Sequence, residues 1–374
     1  MTTDTTHKGS RFAERVLEID QVLVLVAEHA VSSLGRREVM ALGPRGDDDA
    51  RAALVRCEEM RGRLVAEDAP PMAGVTDPLP EELDGRLSED RIAALRDFLE
   101  ANLRLKKWAR DRADLVPTLS ALMSASPDTS ALVERIDRIV DGRGRVRVEA
   151  SGRLTNLRDA MSAATARIES ALRGVMARGE VRASLSDGGV HRRAGRPVLA
   201  VKAKMSGRVK GLVHDRSQTG ESVFIEPQEV VELGNRLAEA RADERREVER
   251  ILVELSRDLL AGRDVIDGAA QRVGQLEVAL ASAAWAASVG ARPALIPGEE
   301  GASDGLLLRG ARHPLLIAQV QRGALEEVVP IDLRLGVDFD MLLITGPNTG
   351  GKTLALKTAG LFALMSRAGL PVPA

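Results

Sequence analysis

Tyrosine is absent from this 374-residue chain, and five phenylalanines and two tryptophans bring the aromatic share to only 2%. Its cores must then be built from Leu, Val, Ala, Ile and Met, a palette that favours helix. The single cysteine, Cys57, excludes an internal disulfide and a four-cysteine metal cluster. The five histidines show no metal-ligand spacing. No run reaches the roughly 18 apolar residues that a membrane span needs, and the first residues carry no apolar signal segment, so a cytoplasmic location without a membrane partner is expected. The net charge of −2 gives no global sign of a polyanionic partner, and any basic site must be local.

What the chain does have is 44% hydrophobic residues over a length that suits two or three domains. Apolar residues recur at three and four from Phe12 to Leu42 (Val16, Ile19, Leu23, Val26, Ala30, Leu34), predicting one helix that Gly43-Pro44 stops. A second helix is predicted from Asp49 to Ala66, then a proline-rich loop from Asp68 to Pro80, then a helix capped at Ser88 and ending near Arg112.

Between Ser151 and Leu260 the periodicity changes scale. Leu154, Leu157, Met161, Ala164, Ile168, Ala171 and Val175 step by three then four, the seam of a coiled coil. A matching seam runs through Val230, Leu233, Leu237 and Ala240, lapses at Glu244, and resumes with Val248, Ile251, Leu255 and Leu259. The two helices should pair antiparallel, each reaching on the order of 40 Å. From Gly188 to Pro227, β-branched and alternating runs separated by glycines predict a small β-rich tip. The fold class expected is mainly α: a helical core (1–150), an arm (151–262) bearing the tip (188–227), returning core helices (263–298), and the first part of an α/β domain (299–374).

Gly346-Pro347-Asn348-Thr349-Gly350-Gly351-Lys352-Thr353 fits G-x-x-x-x-G-K-[ST]. The glycines let backbone N–H groups turn toward phosphate oxygens, Lys352 adds a point charge, and Thr353 offers a hydroxyl to Mg²⁺. The apolar run Met341 to Thr345 before it predicts a buried strand, and the residues after it an apolar helix through Met365. ATP with Mg²⁺ is the cofactor this pattern expects. Hydrolysis also needs a carboxylate for the metal on a later strand, and Leu354 to Ala374 contain no Asp or Glu. The expectation is a phosphate-binding half-domain that breaks off after its first helix.

TGPNTGGKT at Thr345 to Thr353, with ARHPLL at Ala311 to Leu316, resembles the ATPase domain of the MutS family. LEIDQVL (Leu17 to Leu23), VEASGRLTNLR (Val148 to Arg158), GRPVLAVK (Gly195 to Lys202), GLVHDRSQTGESVFIEP (Gly211 to Pro227) and GNRLAEARADERREVERIL (Gly234 to Leu252) are similar to the bacterial branch that lacks mismatch-reading domains and usually ends in an Smr nuclease domain. The resemblance implies a helical core, lever helices with a clamp, a homodimer when complete, and binding of branched or mismatched DNA in repair or recombination control. It also permits a ribosome-associated ATPase of collided-ribosome quality control, or an inactive fragment. The family's acidic metal strand, signature loop and Smr domain have no counterpart in this sequence, which leaves catalytic residues unassigned and reads as a truncation.

Eight cations fall between Val190 and Gly220 (Arg192, Arg193, Arg196, Lys202, Lys204, Arg208, Lys210 and Arg216) against one acid, Asp215. With no interleaved aromatics to stack on bases, the pattern predicts contact with a phosphate backbone. His214 and Asp215 lack a nucleophile or second carboxylate at triad or metal spacing and are expected to serve a turn or hydrogen bond. His313, beside Pro314, is a candidate to pack near a nucleotide base.

Overall fold

The computed structural model describes residues 15–78, 86–302, 305–336, 338–346 and 351–374. These are mainly helical, with one four-stranded and one two-stranded antiparallel sheet. They form two compact units: Met1–Leu83 with Ala94–Glu134 and Ala261–Ala374, and Asp84–Ala93 with Arg135–Leu260.

The first unit is a helical core. Its helices are α1 (Ile19–Ala27), α2 (Ser33–Met40), α3 (Asp47–Val65), most of α4 (Glu89–Arg110), α5 (Pro117–Ser124) and α10 (Arg263–Val289). Helix α10 packs on α1, α2, α3 and α5. Cys57 is buried on α3, and burial pushes its thiol up to about 12, which makes it an inert core residue.

The continuous helix predicted to Leu42 is instead two, α1 and α2. Ser32 takes an extended conformation, its Oγ accepts from Gly35 N at 3.1 Å, and its N–H and hydroxyl both donate to Glu277 on α10 at 2.5 Å. The buried carboxylate thus caps α2 from a neighbouring helix, and the apolar period passes through the break because both helices face the same core. A Cβ on Gly35 would lie within 2.1 Å of the Glu277 side chain, so the cap depends on glycine there.

The second unit holds α6 (Ser130–Ile139, from Arg135 onward), α7 (Gly152–Ala177), α8 (Gly179–Ser184), β1 (Leu185–Arg193), β2 (Arg196–Lys202), β3 (Gly211–Arg216), β4 (Ser222–Pro227) and α9 (Gln228–Ala261, to Leu260). Contacts across α7 and α9 run in opposite chain directions: Arg178 to Glu229 at 2.6 Å, Arg158 to Glu244 at 3.0 Å, and Ser151 Oγ to Glu247 at 2.8 Å. The seam lapses at Glu244 because polar partners replace apolar ones there. Glu247 is also buried, its carboxyl held down at about 2 chiefly by the hydrogen bonds from Arg250, with Ser151 and Arg153 adding to the effect. Ile168, Leu172 and Val175 of α7 meet Val230 and Leu237 of α9 in one cluster.

That cluster is closed by the sheet, whose order is β1-β2-β4-β3 with every pairing antiparallel. Alternation does the sorting: Leu199, Val201, Val223 and Ile225 face the helices, while Val198, Ala200 and Phe224 form a small cluster of their own. The β1–β2 turn is Ala194-Gly195, both at positive φ (47° and 77°), the two-residue geometry that matches strand twist.

Candidate nucleotide loop and nucleic-acid interface

In the first unit, β5 (Leu306–Ala311) pairs antiparallel with β6 (Ile331–Leu335), α11 (Pro314–Gln321) follows β5, and α12 (Lys352–Ala368) follows the glycine loop. Thr358, Leu361, Phe362, Met365 and Ala368 are the buried stripe of α12, and its apolar members join the core cluster containing Trp285 and Val22. Gly369 ends the helix at φ 78°, with Leu370 N donating to Met365 O at 2.8 Å, a left-handed C-terminal cap. Two ion pairs, Lys357 with Glu18 and Arg367 with Asp47, fix the helix to the core.

The start of α12 therefore rests on a rigid base. Gly351 stands at its N-cap with φ 80° and, being glycine, brings no side-chain cap of its own. Lys352 Nζ folds back on the Gly346 carbonyl across the mouth of the loop, and Thr353 is exposed on the first turn. Among the described residues, an added Cβ at Gly346 or Gly351 meets nothing within 4 Å. These residues fit a nucleotide phosphate with its Mg²⁺. Pro347, Asn348, Thr349 and Gly350, the rest of the loop read from sequence, lie outside the described residues.

Met341–Thr345 is not a strand here, and Met341 and Leu343 are more than four-fifths exposed. A buried parallel strand needs hydrogen-bonded neighbours on both sides, and no described strand pairs with this run.

His313 caps α11 and is 4% exposed, with neither ring nitrogen hydrogen-bonded within the described residues. Burial holds its pKa below the usual range, Glu18 opposing and Lys357 assisting that shift. The unfolded chain takes up a proton here near pH 6.5, whereas the folded chain resists it until lower pH. Stability from this group is therefore complete above that pH and lost as pH falls through it toward the folded value. Melting temperatures between pH 7.5 and 5 should fall more steeply for the parent than for His313→Leu, and parallel curves would contradict the assignment.

The eight cations of the second unit do not converge. Arg193 pairs with Asp215 at 3.3 Å and lies over the Phe224 ring, 3.9 Å from its centroid. Arg196 reaches the fully buried Glu226 at 3.4 Å and Asn235 at 2.6 Å, and Lys202 donates to the Ala183 carbonyl. Lys202 and Arg216 share one end of the sheet, registered across from Ser222 and Val223, with Lys204 next along the chain from Lys202. Arg208 and Lys210 flank Val209 before β3, and Arg192 and Arg193 end β1 at the turn. Arg192, Lys204, Arg208, Lys210 and Arg216 are exposed. His214 Nε2 lies 2.7 Å from Glu226 Oε2, joining β3 to β4.

Sequence reasoning missed Arg173 on α7 and Arg241 and Arg245 on α9, which the fold brings to the same side of the unit as Arg192 and Arg196, around the β1–β2 turn. Among the described residues there is no group of three or more His, Cys, Asp or Glu placed to hold a metal ion, and no helix is long and apolar enough to cross a membrane.

No family model matches the chain. Curated relatives do. The chain is 37% identical over 365 residues to a protein named Endonuclease MutS2 from Pelotomaculum thermopropionicum, covering 96% of this chain and 45% of that one. Proteins of the same name from Geobacillus thermodenitrificans and Halalkalibacterium halodurans are 36% and 34% identical, again over 96% of this chain and 46% of theirs. The chain thus spans slightly less than half the length of these relatives.

Proposed function

We infer, for a chain that belongs to the MutS family and to its MutS2 type, that it supplies the nucleotide-binding loop and the DNA-gripping arm of a larger ATPase acting on branched or mismatched DNA. The observation that carries this reading is the opening of α12: a left-handed glycine, Gly351, at its N-cap, with Lys352 and Thr353 on its first turn and the helix fastened to the core by Lys357 and Arg367. ATP with Mg²⁺ bound there would supply a change of charge at the loop mouth. Lys352 would leave the Gly346 carbonyl for a phosphate oxygen, and Thr353 would turn its hydroxyl to the metal.

In the second unit, α7 and α9 act as lever helices and the sheet as a clamp tip. The exposed Lys204, Arg208, Lys210 and Arg216 are placed for phosphate contact, while Arg193 and Arg196 hold the tip together. The relatives are named endonucleases. Fluorescence anisotropy of the full chain on a four-way junction and on linear duplex of equal length tests the preference for branched DNA. About fivefold tighter binding to the junction is expected, since two arms of DNA can meet cations at both ends of the sheet. Equal affinities would remove branched DNA from the proposal.

A further inference from the structure

Two hollows adjoin in the second unit, beside the β1–β2 turn. They share Gly195, Pro197 and Leu237 in their walls. The smaller, of about 160 Å³, is rimmed by Arg196, Arg241 and Arg245. Arg196 has its charge met by Glu226, and Gly234 makes room for it, since a Cβ there would come within 2.7 Å of the guanidinium. Arg241 and Arg245 are different: among the described residues neither has an ion pair, although other arginines of α9 are paired, Arg236 with Glu232 and Arg246 with Asp243. Two like charges at i and i+4 repel one another, so this notch has an excess positive field that an anion would relieve.

The larger hollow, of about 310 Å³, has apolar walls from Ile168, Leu172, Val190 and Leu237. Thr165 and Glu169 supply a hydroxyl and a carboxylate at its edge, and Arg173 and Arg192 two planar guanidinium groups able to stack on an aromatic ring. Its volume falls at the low end of small-ligand sites, with the mix of apolar wall and few polar groups such sites have.

We propose that the two hollows together bind one unpaired nucleotide, with the phosphate held by Arg241 and Arg245 and the base in the apolar hollow between α7, α9 and β1. The shared chemistry is a nucleoside monophosphate unit, either free or looped out of a strand. The strand case rests on the nucleic-acid reading above; the free-nucleotide case does not.

The test uses the full chain carrying Lys352→Ala, which disables the phosphate loop as a competing site. Anisotropy compares a duplex containing one unpaired nucleotide with the fully paired duplex, and calorimetry follows titration with deoxyadenosine monophosphate. Two independent changes close the notch: Arg241→Ala with Arg245→Ala removes its charge, and Ala238→Phe fills it from an exposed lining position. The parent should prefer the duplex with the unpaired nucleotide or bind the monophosphate, and each change should lower that by about tenfold or more, with melting unaltered. Monophosphate binding lost in both variants assigns a free nucleotide. A duplex preference lost in both without monophosphate binding assigns a strand. If the monophosphate fills the notch while no duplex binds, the nucleic-acid reading falls and the site stands. A parent that shows neither behaviour, or a preference that survives both changes, overturns the site.

Discussion

Replacing Ile168 by aspartate is expected to destabilise the second unit by about 3 kcal/mol or more, the usual cost of placing an unpaired charge in a packed core. Ile168 is 4% exposed and sits where α7 meets α9 and the inner face of the sheet, among Leu199, Ile225 and Leu237. The acid would replace hydrocarbon packed on Leu199, Ile225 and Leu237 at the wall of the larger hollow, and meeting Arg173 or Arg192 there would require it to leave that cluster. Ser170→Asp, two residues on at an exposed position, should change stability by no more than about 0.5 kcal/mol. Because the chain has two units, a single melting curve can average them, so amide hydrogen exchange is the sharper readout. Protection should fall through α7, α9 and β1–β4 in Ile168→Asp and stay unchanged in Ser170→Asp. Equal protection in both would mean that the seam faces solvent.

Lys352→Ala should weaken binding of a fluorescent ATP analogue by about 10- to 100-fold, which corresponds to losing one charge-assisted hydrogen bond of roughly 1.5–3 kcal/mol. The fold should not suffer, since the helix is held by its buried stripe and by Lys357 and Arg367, none of which the change touches. Thr353→Ala should leave Mg²⁺-free binding nearly intact and abolish most of the gain that Mg²⁺ gives, because only the hydroxyl role is removed. Unaltered affinity in Lys352→Ala would show that the nucleotide, if bound, sits elsewhere.

Much of this was legible in the sequence because it rests on local spacing. The periods of α7 and α9 and the glycine-separated strands between them all repeat over distances shorter than the elements they define. What was not legible depends on partners far along the chain. The break before α2 comes from Glu277, some 245 residues from Ser32. Met341–Thr345 has the composition of a buried strand, but a strand is made by its neighbours, and none is described beside it. Arg241 and Arg245 escape a count of local charge because Asp243 and Glu244 lie between them; the helix turns those acids toward Arg246 and Arg158 instead. Conversely, eight cations gathered within 31 positions are divided by the register of the sheet between its ends, and two of them serve as internal ion-pair partners.

If the second unit grips DNA through its phosphates, as proposed, duplex binding must depend steeply on salt. With Lys204, Arg208, Lys210 and Arg216 exposed, about four phosphates would be neutralised, and the slope of log affinity against log salt should be roughly −3 to −4. Arg208→Ala with Lys210→Ala should flatten it by up to about two units and weaken binding alike on unrelated sequences, while Lys352→Ala leaves the slope unchanged. A slope that stays the same in the Arg208/Lys210 variant would place the DNA contact on another surface and contradict the account.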